Sequence, residues 1–159
     1  MATLTYTLTE SITLNGQDHG GSMTGTISSI DTIYKRIVNC PDTGSNDTTV
    51  LAQFEATVGD DADATGFDVG HVKYIRISNL DASNPVYLEV VGGNSGADSY
   101  SQKLEAGKHF IVGSPDDAFL AEADNDPTQS GWGDILSIAA YNGSGSSVQV
   151  EVLIASVYS

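Results

Sequence analysis

Basic side chains are scarce in this sequence. The 159 residues include 6 Lys and Arg against 21 Asp and Glu, a formal charge of −15. A nucleic-acid or anionic-membrane surface needs clustered cations. Here Lys35, Arg36, Lys73, Arg76, Lys103 and Lys108 are scattered among apolar segments, so neither direct nucleic-acid binding nor membrane docking is expected. Cysteine is limited to Cys40, which rules out an internal disulfide. With no distinct histidine or helix terminus marked beside it, Cys40 reads as a small buried apolar residue. No run approaches the ~20 apolar residues of a membrane span. The opening MATLTYTLTE has neither the basic stretch nor the apolar core of a signal peptide. The protein is thus expected to stay in the cytosol of its cell or be packed into a particle there.

Helix signals are also missing. No segment repeats apolar residues at i, i+3, i+4 and i+7, and residues that fill helices are few. What is present is alternation. Leu4, Tyr6, Leu8, Ile12 and Leu14 fall on even positions with Thr between several of them, and this predicts a half-buried strand. Val50, Ala52, Phe54, Ala56 and Val58 repeat the pattern, as do Val148, Val150, Val152 and Ile154. Further strands are expected in TIYKRIVNC, HVKYIRISNL, NPVYLEVVG, YSQKLEAGKHFIV, around Phe119–Ala123 and in DILSIAAY, the last joined to the final strand by the turn NGSGS. About eight to ten strands at spacings of roughly 8–15 residues predict an all-β fold, an antiparallel two-sheet sandwich of jelly-roll type or a barrel. A chain of this length can bury about 70% of its unfolded surface without a metal or disulfide. GQDHGGSMTG, residues 16–25, reads as a flexible connection. Residues 1–22 are therefore expected to form an N-terminal strand arm with a Gly-rich joint, and residues 23–159 a single β-sandwich domain.

Chemistry-bearing motifs are sparse. DADATGFDVGH, residues 61–71, opens like a calcium loop, with Asp61, Asp63 and Thr65 at alternate positions and then Gly66. Position nine is Val69 and position twelve is Val72, where the bidentate Glu belongs. Asp68 could supply a further ligand, but half a chelator reads as a solvated acidic loop, and no metal or other cofactor is assigned. Asp42-Thr43-Gly44-Ser45 matches the catalytic tetrapeptide of aspartic proteases. The apolar strand that should directly precede the Asp is displaced by Cys40-Pro41, and Asp-Thr-Gly is ordinary turn chemistry. His19, His71 and His109 show no metal-ligand spacing. Asn46 and Asn142 begin glycosylation sequons that read as chance matches. Trp132, alone in the Gly-flanked QSGWGD, is a candidate anchor in a partner surface or a sugar platform.

VKYIRISNLDASNPVYLEVVG, then YSQKLEAGKHFIV and the closing VQVEVLIASVYS, resembles small structural proteins of tailed bacteriophages, notably marine and cyanobacterial ones. The matching pattern is a strand with R-I-x-N-L, a short turn, an apolar strand, a K-L-x-A-G-x-x-F-x-V segment and a final strand; it covers residues 72–159. These motifs are structural, not catalytic. The resemblance implies a non-enzymatic virion component assembled in the host cytoplasm. It would be a capsid decoration (cement) protein bound to the major capsid protein, or a tail or fibre-associated adhesin binding a host glycan. A homo-oligomer is expected, because such proteins assemble symmetrically. The interface residues expected from sequence are Leu4, Tyr6 and Leu8 of the first strand, Met23 and Trp132.

Overall fold

The segments with the firmest period-two alternation pair into two sheets. The computed structural model describes residues 1–42, 47–55, 66–92, 98–116 and 133–157. The strands are β1 (Ala2–Glu10), β2 (Thr13–Leu14), β3 (Gln17–Asp18), β4 (Gly21–Ile30), β5 (Thr32–Cys40), β6 (Thr49–Glu55), β7 (Phe67–Asp68), β8 (Val72–Asn79), β9 (Val86–Gly92), β10 (Asp98–Leu104), β11 (His109–Val112), β12 (Ile135–Tyr141) and β13 (Val148–Ser156). One sheet has the order β11-β8-β13-β5 and the other β10-β9-β12-β6-β7. All pairings are antiparallel except the two-residue contact of β6 with β7. The nested order, with β5 beside β13, β6 beside β12, β8 beside β11 and β9 beside β10, is that of a jelly roll, an all-β sandwich. The strand expected at residues 119–123 lies outside the described residues. No helix among the described residues is long and apolar enough to cross a membrane.

The core follows from the pleat, which sends alternate side chains to one face. Val148, Val150, Val152 and Ile154 of β13, Ile75 and Ile77 of β8, and Val86, Leu88 and Val90 of β9 are all fully buried. They meet Ile138 and Ala140 of β12 in one cluster. Cys40 joins this cluster at 0% exposure, and burial pushes its thiol pKa up against a smaller lowering by Thr49. The expected register fails in β6. A bulge opposite Ile138 and Ala139 places Leu51 in the core and leaves Val50 about half exposed, because the extra residue inverts the alternation beyond it. At the rim between the sheets, Arg36 lies over the Tyr34 ring and donates to the Leu51 carbonyl at 3.1 Å, which ties β5 to β6.

Turn chemistry fixes the ends. Asn142 is buried. Its Nδ2 donates to the carbonyls of Cys40 (2.8 Å) and Ser146 (2.7 Å), and its Oδ1 accepts from the Ser144 amide (3.1 Å). A side chain with all these bonds and 2% exposure holds the NGSGS turn and is closed to glycosylation in the fold. Asp81 accepts the amides of Asn84 and Ser83 at 2.8 Å each, which holds its carboxyl pKa below the ordinary value and sets the β8–β9 turn.

The first thirty residues form a separate ribbon. β1 pairs along its length with β4, and β2 pairs with β3. Asn15 and Gly16 both have positive φ, as a two-residue primed turn demands. The segment expected to be a flexible joint is therefore this turn, β3 and the first half of β4. The paired ribbon runs to Ile30 and not only to residue 22. Its second leg has few large apolar residues, so alternation alone did not mark it.

Candidate functional site

The ribbon has two chemically distinct faces. Register pairs Leu4 with Ile27, Tyr6 with Gly25 and Leu8 with Met23, and between these it pairs Thr5 with Thr26, Thr7 with Thr24 and Thr9 with Ser22. Even positions of β1 thus build an apolar face and odd positions a hydroxyl face. The hydroxyl face is cross-linked by Thr7–Thr24 (3.1 Å) and Thr9–Ser22 (3.3 Å) contacts. Tyr6 lies across Gly25, where a Cβ would collide with the ring. This aromatic cover over a strand glycine fills the gap left by the missing side chain.

Only the base of the apolar face is covered. Leu4 and Ile27 pack with Ile30 on Tyr74 and Ala155, on the outer face of the four-stranded sheet. The Tyr6 ring stacks on Tyr74 with centroids 5.7 Å apart. Farther out the ribbon stands away from the sheet. Leu8 is 56% exposed, Met23 64%, Ile12 55% and Leu14 59%. Between ribbon and sheet lies a groove of about 460 Å³, walled by Leu4, Tyr6 and Leu8 on one side and by Arg76, His109, Ile111 and Leu153 on the other. The sequence expectation of a half-buried first strand differs from the structure: its alternation is real, but the outer half of its apolar face stays more than half exposed.

The sheet face below the ribbon has its own charge pattern. Glu151 of β13 accepts from Arg76 at 2.7 Å and pairs with Lys35 at 3.0 Å. The hydrogen bond from Lys35, joined by that from Arg76, holds the Glu151 carboxyl below its ordinary pKa against the opposing effect of burial. Two cations against one anion make this a net basic spot on an acidic chain. His109 Nδ1 contacts Ser78 Oγ at 2.9 Å beside it.

The outer face of the other sheet holds a second depression, about 300 Å³, lined by Thr48, Tyr87, Glu89, Ser101 and Tyr141. Tyr141 of β12 stands directly opposite Tyr87 of β9, with ring centroids 6.0 Å apart. A Cβ at Gly143 would come within 2.6 Å of the Tyr141 hydroxyl, so glycine leaves that ring its position. Two rings, a carboxylate and two hydroxyls suit a polyhydroxylated ligand, with Lys103 standing opposite Tyr87 at the edge of the cleft.

Comparison with protein-family models, with curated proteins and with solved structures returns no match.

The residues singled out from sequence are dispersed. Asp61, Asp63, Thr65 and Trp132 lie outside the described residues, as do Thr43, Gly44 and Ser45 of the protease-like tetrapeptide. Asp68 is engaged in a turn: Oδ1 accepts the Gly70 amide at 2.9 Å and Oδ2 lies 3.4 Å from His71 Nδ1. Val72, at position twelve of the calcium-loop count, is a fully buried core residue. Among the described residues no group of three or more His, Cys, Asp or Glu could hold a metal. Of the expected interface residues, Leu8 and Met23 come together as an exposed cross-strand pair, and Tyr6 is partly covered by Tyr74. Leu4 packs against its own sheet. The ribbon's second leg and the Tyr87–Tyr141 pair were not found from sequence. The Asn15-Gly16 dipeptide between apolar Leu14 and polar Gln17 is the hairpin signal that marks the first. The second requires the register of β9 against β12, which no local pattern carries.

Proposed function

We propose that this protein is a non-enzymatic structural component of a bacteriophage virion, a capsid decoration protein that packs on the shell of the major capsid protein and stiffens it. The observation that carries this reading is the ribbon, the outer half of whose apolar face is more than half exposed. An isolated two-stranded ribbon is marginal in water, and a contiguous exposed apolar surface marks a protein contact. The sequence resemblance of residues 72–159 to phage structural proteins supplies the setting, and the disulfide-free sandwich supplies a rigid body from which the ribbon projects. Its work is burial of surface between neighbours, so the bound ribbon adds stability to the assembly by linkage. The test is co-sedimentation of the purified protein with shells lacking it, followed by heating. Binding with a raised melting temperature of the shell is expected. Shells that neither bind the protein nor gain stability would sink the proposal.

A second reading, a tail or fibre-associated protein binding a host-surface glycan, is favoured by the Tyr87–Tyr141 cleft. Sugar rings stack on aromatic faces while carboxylates and hydroxyls bond their hydroxyls, which is the inventory here. Retention of the protein on immobilised host glycans, lost in Tyr141→Ala and in Glu89→Gln, is the expected result for this reading; equal retention of all three proteins excludes the cleft.

A further inference from the structure

We propose that two copies of this chain exchange ribbons. The exposed pair Leu8 and Met23 of one copy seats in the groove between ribbon and four-stranded sheet of the other, against Leu153 and Ile111. This inference rests on reading the ribbon as a surface that works by burial against protein, and it names the neighbour.

Three observations converge on a second copy. The first is that the ribbon does not close on its own sheet. The stacked rings of Tyr6 and Tyr74, 5.7 Å apart, act as a spacer at its base and leave the groove of about 460 Å³ beyond them. Ile111 remains 56% exposed on the sheet side and Leu8 56% exposed on the ribbon side. An apolar groove and an apolar ribbon end are thus presented by the same molecule, and each has what the other needs.

The second is charge. Two copies of a chain with net charge −15 repel each other over most of their surfaces. The ribbon escapes this, because residues 1–30 contain only Glu10 and Asp18 as acidic side chains and no Lys or Arg. The groove wall is the complementary surface: Arg76 lines it, and the Glu151 carboxylate that Arg76 bridges is shared with a second cation, Lys35. Docking the ribbon of a second copy brings Glu10, next to the Leu8–Met23 pair on the same face, toward these cations.

The third is reach and symmetry. β1 has nine residues, about 30 Å at ~3.3 Å per residue, and the β2–β3 turn extends it further. Each ribbon is built to extend past its own contact, and reciprocal insertion about a two-fold axis uses the same two surfaces on both copies, the closed arrangement favoured by homodimers. The base carries the joint for this. Ser29 has φ of 63°, and the register slips between Ala2 and Leu4 opposite it, a bulge that sets the ribbon's exit angle.

Cross-linking decides the matter. In a Cys40→Ala background whose circular dichroism and melting match the wild type, Met23→Cys and Ile111→Cys are made separately and together. An equimolar mixture of the two single variants, oxidised, should give a covalent dimer, since that bond can form only between copies. Light scattering should give twice the chain mass for the wild type, and Leu8→Asp with Met23→Asp should halve it without changing the dichroism. A wild-type monomer overturns the proposal. So does a double-cysteine variant that closes within one chain while the mixture stays uncrosslinked, since the ribbon then folds onto its own sheet. Shell binding by a wild-type monomer would leave the virion reading standing and remove the exchange. A cross-linked dimer that ignores shells would do the reverse.

Discussion

The sandwich and the ribbon are written in the same period-two code and differ in what covers it. Along β13 the residues Val148, Val150, Val152 and Ile154 are each 0% exposed, because two sheets close over them. Along β1 the equivalent positions open progressively, from Leu4 at the packed base to Tyr6 at 40% and Leu8 at 56%. The backbone pairing is equally regular in both. Alternation therefore reports that a face is apolar and leaves open whether the same chain, another copy or another protein buries it. In this molecule two sheets close over the apolar face of the sandwich, and the outer apolar face of the ribbon stays exposed.

The comparison breaks most visibly if truncation costs the same in both regions. Leu88→Ala, at a fully buried β9 position, should lower unfolding free energy by about 2–5 kcal/mol, from lost transfer and a cavity between the sheets. Leu8→Ala should change it by less than about 0.5 kcal/mol in the dilute protein, since the side chain is already half in water. Urea unfolding of both variants measures the contrast. A large loss from Leu8→Ala would mean that the ribbon is folded into the cooperative unit.

Much of the sandwich could be read from sequence, because β8, β9 and β13 bury one face each and their apolar residues say so. The failures have separate physical causes. Val50 and Leu51 exchange faces because a bulge adds a residue, and a bulge has no signature in hydrophobicity. The leg Gly21–Ile30 pairs through backbone and threonine hydroxyls, so it lacks the large apolar residues that mark a strand. The candidate surfaces were legible only in part. Leu8 and Met23 could be named singly, but their pairing depends on the Asn15-Gly16 turn setting the register. The Tyr87–Tyr141 cleft and the Lys35–Glu151–Arg76 bridge assemble across strands distant in sequence, and only the jelly-roll order brings them together.

A second way to sharpen the contrast is through turns. Asn142→Ala removes the amide that serves the Cys40 and Ser146 carbonyls, leaving a buried acceptor short of a donor. The expected loss is about 1–3 kcal/mol, read as a lower melting temperature and as reaction of the Cys40 thiol with a maleimide at lower denaturant concentration. The ribbon's counterpart is Tyr6→Ala. Deleting the stack on Tyr74 removes about 0.5–1.5 kcal/mol of ring contact. Faster amide exchange along β1 and β4 should report the loss, while the exchange of β13 stays unchanged. Equal acceleration in β13 would erase the boundary between the two regions.

The smallest expected effect lies where the regions face each other, at Glu151. Lys35 first, and then Arg76, hold its folded pKa below the ordinary Glu value, so the fold favours the carboxylate. A depressed carboxylate pKa contributes stability that is fully present above the unfolded value, about 4.3, and is lost as pH falls from there through the folded value. Glu151→Gln has no such group. The wild type should therefore exceed the variant in stability near neutral pH, and the difference should vanish on acidification through that window. The size is under about 1 kcal/mol, because Lys35 is more than half exposed and water screens the pair. Stability measured against pH for both proteins gives the difference curve directly. A curve that stays flat from neutral pH down through that window would show that the bridge adds no stability to the sandwich.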